Sequence, residues 1–234
     1  MDATMTADAD IEQQVSENFS AARTAIFDAA RDAKRSPDDV TLVAVSKVQP
    51  DARIDAALKT GQRVFGENRV QEAMERWSER RGQHKDLTLH LIGPLQTNKV
   101  KEAVALFDVI ESVDREKLAR KLADEMAAQD RHLPCYIQVN TGAEEQKAGV
   151  LPGADLEALY KTCTETLGLN IVGLMCIPPV DEPPALHFAL LADWAKKLGL
   201  SGLSMGMSAD YELAIRMGAT NIRVGSALFG ERRK

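Results

Sequence analysis

The sequence predicts a single (β/α)8 barrel, and three observations lead to that prediction. Strand-like and helix-like segments alternate along the chain after an opening helix. There are eight strand-like segments, and each except the last is followed by a helix-like segment. The length of 234 residues suits a one-domain α/β barrel, and no linker, repeat or low-complexity tract divides the chain.

The opening segment predicts a helix that comes before the first strand. Apolar residues recur every three or four positions from Ile11 to Ala33, which places them along one face of a helix. Pro37 ends this helix, because proline disfavours helical backbone at the residue before it. We expect residues 1–9 to be disordered.

The other elements follow in order along the chain. Short runs of β-branched and apolar residues predict strands over 40–46, 63–65, 87–92, 108–112, 135–140, 170–176, 202–205 and 221–224. Periodic apolar positions predict helices over 51–59, 70–81, 99–106, 115–130, 156–166, 185–198 and 209–217. A doubly wound open sheet is the alternative, but its phosphate loop normally follows the first strand as GxGxxG, and that motif is absent.

Composition narrows the classes of function. The chain has 35 acidic and 29 basic residues, a net charge of −6 and a pI of about 5.3, so no nucleic-acid partner is expected. No stretch approaches the roughly 18–20 apolar residues of a membrane span, so no membrane partner is expected either. The first ten residues lack both a basic start and an apolar run, which argues against a secretory signal. We therefore expect a cytoplasmic protein.

The cysteines and histidines predict neither a disulfide framework nor a metal site. Cys135, Cys163 and Cys176 are odd in number, lie far apart and form no CxxC pair. The four histidines show no HExxH or HxH spacing. We expect reduced, buried thiols and no bound metal.

Polar side chains fall on the predicted inner face of four strands. Successive residues of a barrel strand point alternately to the helices and to the interior, and this rule turns Lys47, His90, Asn140 and Arg223 inward. Each of the first three has an ordinary explanation, as a solvated charge, a hydrogen-bonded core residue and a turn former. Arg223 is harder to explain in such a way, because a permanently charged guanidinium inside a barrel needs an anion or strong acceptors.

The loops after the last two strands predict a phosphate site. Met207 and Ser208 come before a predicted helix, and Gly225 and Ser226 come before a short terminal segment. Barrel enzymes build their recurrent phosphate site from these two loops, where helix N-termini offer N–H groups and a positive dipole end. The alternative is that Ser208 is only an N-cap and Gly225 only a turn residue.

A phosphate site opposite a strand-end lysine is compatible with two chemistries. One is a phosphosugar enzyme in which Lys47 acts as a base or forms an imine with the substrate. The other is pyridoxal 5′-phosphate (PLP), held as a Schiff base on Lys47 with its phosphate in the two loops. Arg223 favours PLP, because a cation facing the pyridine nitrogen is a recognised way for a protein to tune this cofactor.

Six segments spread over nearly the whole chain carry a family resemblance. They are LVAVSKVQP (42–50), FGENRVQEA (65–73), LHLIGPLQTNK (89–99), IQVNTGAEEQKAGV (137–150), GLMCIPP (173–179) and LSMGMSADYELAIRMGATNIRVGSALFGER (203–232). With them the chain resembles the pyridoxal phosphate homeostasis protein family, whose members are single-domain relatives of the N-terminal barrel of alanine racemase. The resemblance implies a barrel of that type with an extra N-terminal helix.

The resemblance also implies a cofactor and its site. PLP would be attached to Lys47, its phosphate would contact the two loops, and Arg223 would lie near the pyridine nitrogen. The cofactor-binding residues that the resemblance implies are Lys47, Asn68, His90, Met207, Ser208, Arg223, Gly225 and Ser226. Weaker matches are Tyr136, Gln138 and Asn140. Ser226 stands where relatives often carry threonine, which keeps the hydroxyl.

The function implied by the resemblance is binding rather than catalysis. The chain ends at Lys234, with no room for the second domain of the racemases, in which a tyrosine from the partner subunit acts as the second acid or base. We therefore expect a monomeric carrier and regulator of PLP and amino-acid pools, with no catalytic residues. Its partners would be PLP, free amino acids and the apo forms of PLP-dependent enzymes. A PLP-dependent racemase of low activity is the alternative.

Overall fold

The computed structural model describes residues 3–230, in which eight parallel strands close into a barrel. The strands are Thr41–Val45 (β1), Val64–Glu67 (β2), Thr88–Leu91 (β3), Val109–Val113 (β4), Cys135–Val139 (β5), Ile171–Cys176 (β6), Gly202–Ser204 (β7) and Asn221–Val224 (β8). Each strand pairs with its sequence neighbours, and β8 pairs with β1 to complete the ring. The closed ring confirms the predicted barrel and excludes the open sheet. Every strand begins and ends within two residues of its predicted bounds.

The helices pack around the outside of the barrel. Ala3–Asp32 (α1) precedes the first strand. The helices that follow β1 to β7 are Asp51–Lys59 (α2), Val70–Gln83 (α3), Val100–Leu106 (α4), Glu116–Ala128 (α5), Ala154–Lys161 (α6), Pro184–Lys197 (α7) and Tyr211–Arg216 (α8). A π-helical turn over Thr162–Thr166 continues α6, and only the four-residue helix Ser226–Phe229 (α9) follows β8.

The N-terminal helix takes the place of the long helix that β8 lacks. α1 packs against α2, α8 and α9, so it closes the outer ring between the first and last units of the barrel. Its apolar face is buried, and the ring of Phe19 meets that of Phe229 edge to face at 5.8 Å. Asn18 Nδ2 also donates a hydrogen bond of 3.1 Å to the carbonyl of Leu228. The predicted extra helix is therefore part of the barrel wall.

Two of the predicted helix starts differ from the structure for an identifiable reason. α1 begins at Ala3, so residues 3–9, for which we expected disorder, are helical, while Met1 and Asp2 lie outside the described residues. The helix extends this far because no glycine or proline interrupts this part of the sequence. The helix predicted from residue 209 begins at Tyr211, because the N–H of Met207 donates to Asp210 Oδ1 at 2.6 Å and holds the preceding residues in a turn.

The main apolar core lies between the barrel and the helices, and the barrel interior holds a smaller cluster. That inner cluster consists of Val109, Tyr136 and Met175. A Cβ atom at Gly173 or Gly202 would lie 2.6 or 2.9 Å from Cε1 of Tyr136, so these glycines make room for the tyrosine ring.

The three cysteines are buried and free, as predicted. Burial raises the pKa of each thiol to about 12, so none is a reactive thiolate near neutral pH. Across residues 3–230, no group of three or more histidine, cysteine, aspartate or glutamate side chains is placed to hold a metal ion. No helix in the same range is long and apolar enough to cross a membrane.

Replacing Phe19 by alanine should lower the free energy of unfolding by about 3–5 kcal/mol, because the ring is fully buried where α1 meets α9. Phe27 lies on the same helix with 52% of its surface exposed, so Phe27→Ala is the matched control, with an expected change of about 0.5 kcal/mol or less. Denaturant unfolding measures both values. Equal losses would contradict the assignment of α1 to the barrel wall.

Candidate functional site

A cavity of about 320 Å³ opens at the carboxyl ends of the strands, where (β/α)8 barrels place their active sites. This volume falls in the range of small-molecule sites. Seven of the eight cofactor-binding residues implied by the sequence line it, namely Lys47, Asn68, Met207, Ser208, Arg223, Gly225 and Ser226. They come from the ends of β1, β2, β7 and β8, so the barrel brings together residues far apart in the chain.

A tight turn after β1 presents Lys47 to the cavity. The N–H of Gln49 donates to the carbonyl of Ser46 at 3.1 Å and closes the turn around Lys47 and Val48. Val48 has a φ of 55°, a left-handed conformation that is costly for a β-branched residue. Such local strain is typical of functional sites.

Glu67 fixes the end of β1 to its surroundings. Its carboxylate is fully buried, and Oε1 accepts hydrogen bonds from the Ser46 hydroxyl at 2.7 Å, Arg76 Nη1 at 2.8 Å and Trp77 Nε1 at 3.0 Å. One carboxylate oxygen thus joins the residue before Lys47 to α3. Sequence reasoning missed this role, although Glu67 lies in one of the segments that carry the family resemblance.

The loop after β2 brings Asn68 to the cavity wall. A Cβ atom at Gly93 would lie 2.3 Å from the carbonyl oxygen of Asn68, so only glycine lets the loop after β3 pack this closely. Asn68 Oδ1 is buried, and no hydrogen-bond partner for it is present among the described residues. A buried acceptor without a partner is a polar group that a ligand could satisfy.

Ser208 joins the two loops that were predicted to bind phosphate. Its Oγ accepts hydrogen bonds from the N–H groups of Gly225 at 3.1 Å and Ala227 at 3.3 Å. Ser208 therefore does not act as the N-cap of the helix that follows it in sequence, which was the alternative interpretation. Ser208 instead accepts from the first turn of α9, so its hydroxyl and the loop after β8 meet at one edge of the cavity.

Arg223 is 4% exposed and is held from two sides. Its Nη1 donates to Ser204 Oγ at 2.6 Å, and its Nη2 donates to the carbonyl of Cys176 at 2.7 Å. The Ser204 hydroxyl donates in turn to Glu111 Oε2 at 2.6 Å, and Glu111 Oε1 lies 2.6 Å from His90 Nδ1. The acceptors that a buried guanidinium requires are thus present in the barrel.

The buried carboxylate of Glu111 is ionised. Burial by itself raises the pKa of Glu111, but the hydrogen bond and charge of His90, the charge of Arg223 and the hydrogen bond from Ser204 outweigh burial and hold the pKa below its usual value. Because the carboxylate can only accept, His90 Nδ1 is the donor in their contact.

Comparison with known proteins identifies the family. Residues 21–233 match the model of the alanine racemase N-terminal domain. The chain is 42% identical over 227 residues to the pyridoxal phosphate homeostasis protein of Pseudomonas aeruginosa, covering 93% of this chain and 96% of that protein. The chain belongs to the pyridoxal phosphate homeostasis protein family. The Escherichia coli K12 family member is 36% identical, with 93% of this chain and 97% of that protein covered.

Solved structures agree with this family assignment. PipY from Synechococcus elongatus, in the structure described as having PLP bound, superposes with a TM-score of 0.79 at 38% identity, covering 93% of this chain and all of that chain. The Clostridium difficile alanine racemase has a TM-score of 0.72 at 13% identity and shows the shared barrel fold alone. The superposition spans 95% of this chain but only 58% of the racemase.

Other residues implied by the family resemblance lie away from the cavity lining. His90 is in the interior, where it contacts Glu111, and it is not among the described residues that line the cavity. The same holds for the three weaker matches. Tyr136 accepts from Asn221 Nδ2 at 3.2 Å, Gln138 donates to the carbonyl of Ala148 at 3.2 Å, and Asn140 bonds both backbone groups of Glu144.

Sequence reasoning missed Glu111 and Ser204. The alternation rule that turns Arg223 inward also turns these two residues inward on β4 and β7. A charged residue between Val109 and Val113, in a strand that is otherwise apolar apart from Ser112, is the signal that could have revealed Glu111.

Proposed function

We propose that the chain binds PLP in this cavity and serves intracellular PLP homeostasis by buffering or delivering the cofactor. The observation that carries the proposal is the meeting of Lys47, the Ser208–Gly225 loop pair and Arg223 around one cavity. It is supported by the similar PipY protein, whose structure is described with PLP bound.

The residues of the cavity fit the chemical groups of PLP. When bound, PLP supplies an aldehyde that condenses with amines and a ring that can take up electron density. Lys47 provides the amine for covalent attachment. The hydroxyls of Ser208 and Ser226 suit a phosphate, because each can donate a charge-assisted hydrogen bond to an anion. Arg223 and Asn68 supply polar groups on the remaining wall.

We propose that this site holds PLP without turning over amino acids. Racemisation needs a proton donor on each face of the substrate carbon, and Lys47 could serve one face only. Neither tyrosine nor a carboxylate is found among the described residues that line the cavity. Burial and the charge of Glu111 raise the pKa of Tyr136 to about 12, and its hydroxyl already accepts from Asn221, so Tyr136 is poorly suited to act as the base.

The proposal extends to assembly and location. We propose a monomer, because binding PLP without racemisation needs no second proton donor from a partner subunit. We propose a cytoplasmic protein, in keeping with the absence of a secretory signal in the first ten residues. Its proposed partners are PLP, free amino acids and the apo forms of PLP-dependent enzymes, which could exchange the cofactor through the open end of the cavity.

Borohydride reduction of the protein loaded with less than one equivalent of PLP should give one labelled residue, Lys47. Lys47→Ala should abolish the label without unfolding the barrel, because Lys47 follows β1 and lies outside the apolar core. Peptide mapping by mass spectrometry locates the label, and circular dichroism checks the fold. Lys99→Ala, which changes a lysine in the loop after β3, is the matched control and should keep full labelling. A label mainly on Lys99 or Lys147 in the wild-type protein would contradict the assignment.

Replacing both Ser208 and Ser226 by alanine should weaken PLP binding by on the order of a hundredfold or more. Each hydroxyl gives a charge-assisted hydrogen bond to the phosphate, worth roughly 1.5–3 kcal/mol. The dissociation constant from an absorbance titration measures the loss. Pyridoxal, which lacks the phosphate, is the matched ligand: it should bind the wild type poorly and hardly respond to the double substitution. Equal affinities of PLP and pyridoxal for the wild type would show that the two loops serve only as structural caps.

A further inference from the structure

We infer that Glu111 is a positioning residue that acts through Ser204 to hold Arg223 at the wall of the PLP cavity. This inference rests on the proposed binding of PLP there. Arg223 lines the cavity, whereas Glu111 and Ser204 lie behind it and are not among the described residues that line it. The effect of Glu111 on a bound ligand would therefore pass through Arg223.

The direction of the hydrogen bonds makes Ser204 a relay. A guanidinium can only donate, so Ser204 Oγ must accept from Arg223 Nη1 at 2.6 Å. The hydrogen of the Ser204 hydroxyl then needs an acceptor elsewhere, and Glu111 Oε2 provides it at 2.6 Å. A carboxylate at this position keeps the lone pair of Ser204 turned toward the guanidinium. A neutral amide could instead donate to Ser204 and turn its hydrogen toward Arg223.

Other contacts prevent the carboxylate of Glu111 from turning away. Its Oε1 is bound by His90 Nδ1 at 2.6 Å and by Asn221 Nδ2 at 3.3 Å, so donors from β3, β7 and β8 surround a carboxylate that belongs to β4. All of these side chains are buried. Because their backbones are fixed by the closed barrel, the position of the carboxylate is fixed as well.

The positive charge of Arg223 is a second reason why its position depends on Glu111. Arg223 is a cation in the barrel interior, and its two described hydrogen bonds go to neutral acceptors, the hydroxyl of Ser204 and the carbonyl of Cys176. Glu111 is a fully buried anion linked to Arg223 through Ser204. Removing the anion leaves an uncompensated buried charge, which favours movement of the guanidinium toward solvent in the cavity. A displaced Arg223 would lose its place beside the ring of a bound ligand.

The test compares Glu111→Gln, Ser204→Ala and the double variant in the full-length protein loaded with PLP. Each single variant should weaken PLP binding about tenfold or more and shift the absorption maximum of the bound PLP, which reports the surroundings of the ring. The double variant should be no worse than the worse single variant, because both substitutions break the same connection. In the ligand-free protein, the slowly exchanging guanidinium N–H signals of Arg223 in nitrogen-15 NMR spectra should be lost in all three variants.

Ser112→Ala is the matched control for Ser204→Ala. Ser112 is equally buried and follows Glu111 in the same strand, but its hydroxyl has no hydrogen-bond partner in the described structure. This variant should keep wild-type affinity and spectrum. If Glu111→Gln does not fold, the comparison of Ser204→Ala with Ser112→Ala tests whether the Ser204 contact positions Arg223. Each of these two variants removes one buried hydroxyl.

The possible failures are distinguishable. The positioning role would be overturned if Glu111→Gln and Ser204→Ala kept the wild-type affinity and spectrum, or if their losses of affinity simply multiplied in the double variant. In either case, borohydride labelling of Lys47 in the wild type would leave the proposed function standing. A wild-type protein that binds no PLP, or that is labelled elsewhere than Lys47, would overturn both.

Discussion

The buried pair of Arg223 and Glu111, bridged by Ser204, is the constraint on which the rest of the site depends. A guanidinium enclosed by a barrel is stable only if its hydrogens meet acceptors and its charge meets an anion. The acceptors come from β6 and β7 and the anion from β4, while Arg223 itself comes from β8. The contacts that satisfy the buried guanidinium therefore also fix Arg223 at the wall of the cavity.

Local contacts place the other side chains and loops that line the cavity around Arg223. Glu67 fixes the end of β1 and so the turn that carries Lys47. Ser208 ties the loop after β7 to the first turn of α9. The N-terminal helix supports α9 from behind through Phe19, so a segment distant in sequence stabilises the loop proposed to bind phosphate. The site is thus built from several short-range contacts on one rigid barrel.

The sequence predicted the barrel and much of the cavity because both follow from periodicity. Alternation within strands turns Arg223 inward, and the strand-end rule places Lys47 and the two loops at one face. Periodicity does not predict which hydrogen-bond partners the buried side chains have. That Ser208 accepts from α9 rather than α8 depends on the packing of two loops, and the contact of Glu111 with Ser204 depends on register across the barrel. Valine is β-branched and rarely adopts a left-handed conformation, so the sequence does not predict the turn at Val48.

The site is proposed to hold PLP without turning over amino acids, because no second proton donor is found among the described residues that line the cavity. The most direct test of that claim is to incubate the PLP-loaded protein with an L-amino acid in deuterated water and follow the α-position by NMR and chiral chromatography. The amino acid should keep its α-hydrogen and its handedness over many equivalents of protein. Formation of the D-enantiomer at an enzyme-like rate, roughly 1 s⁻¹ or faster, would contradict it.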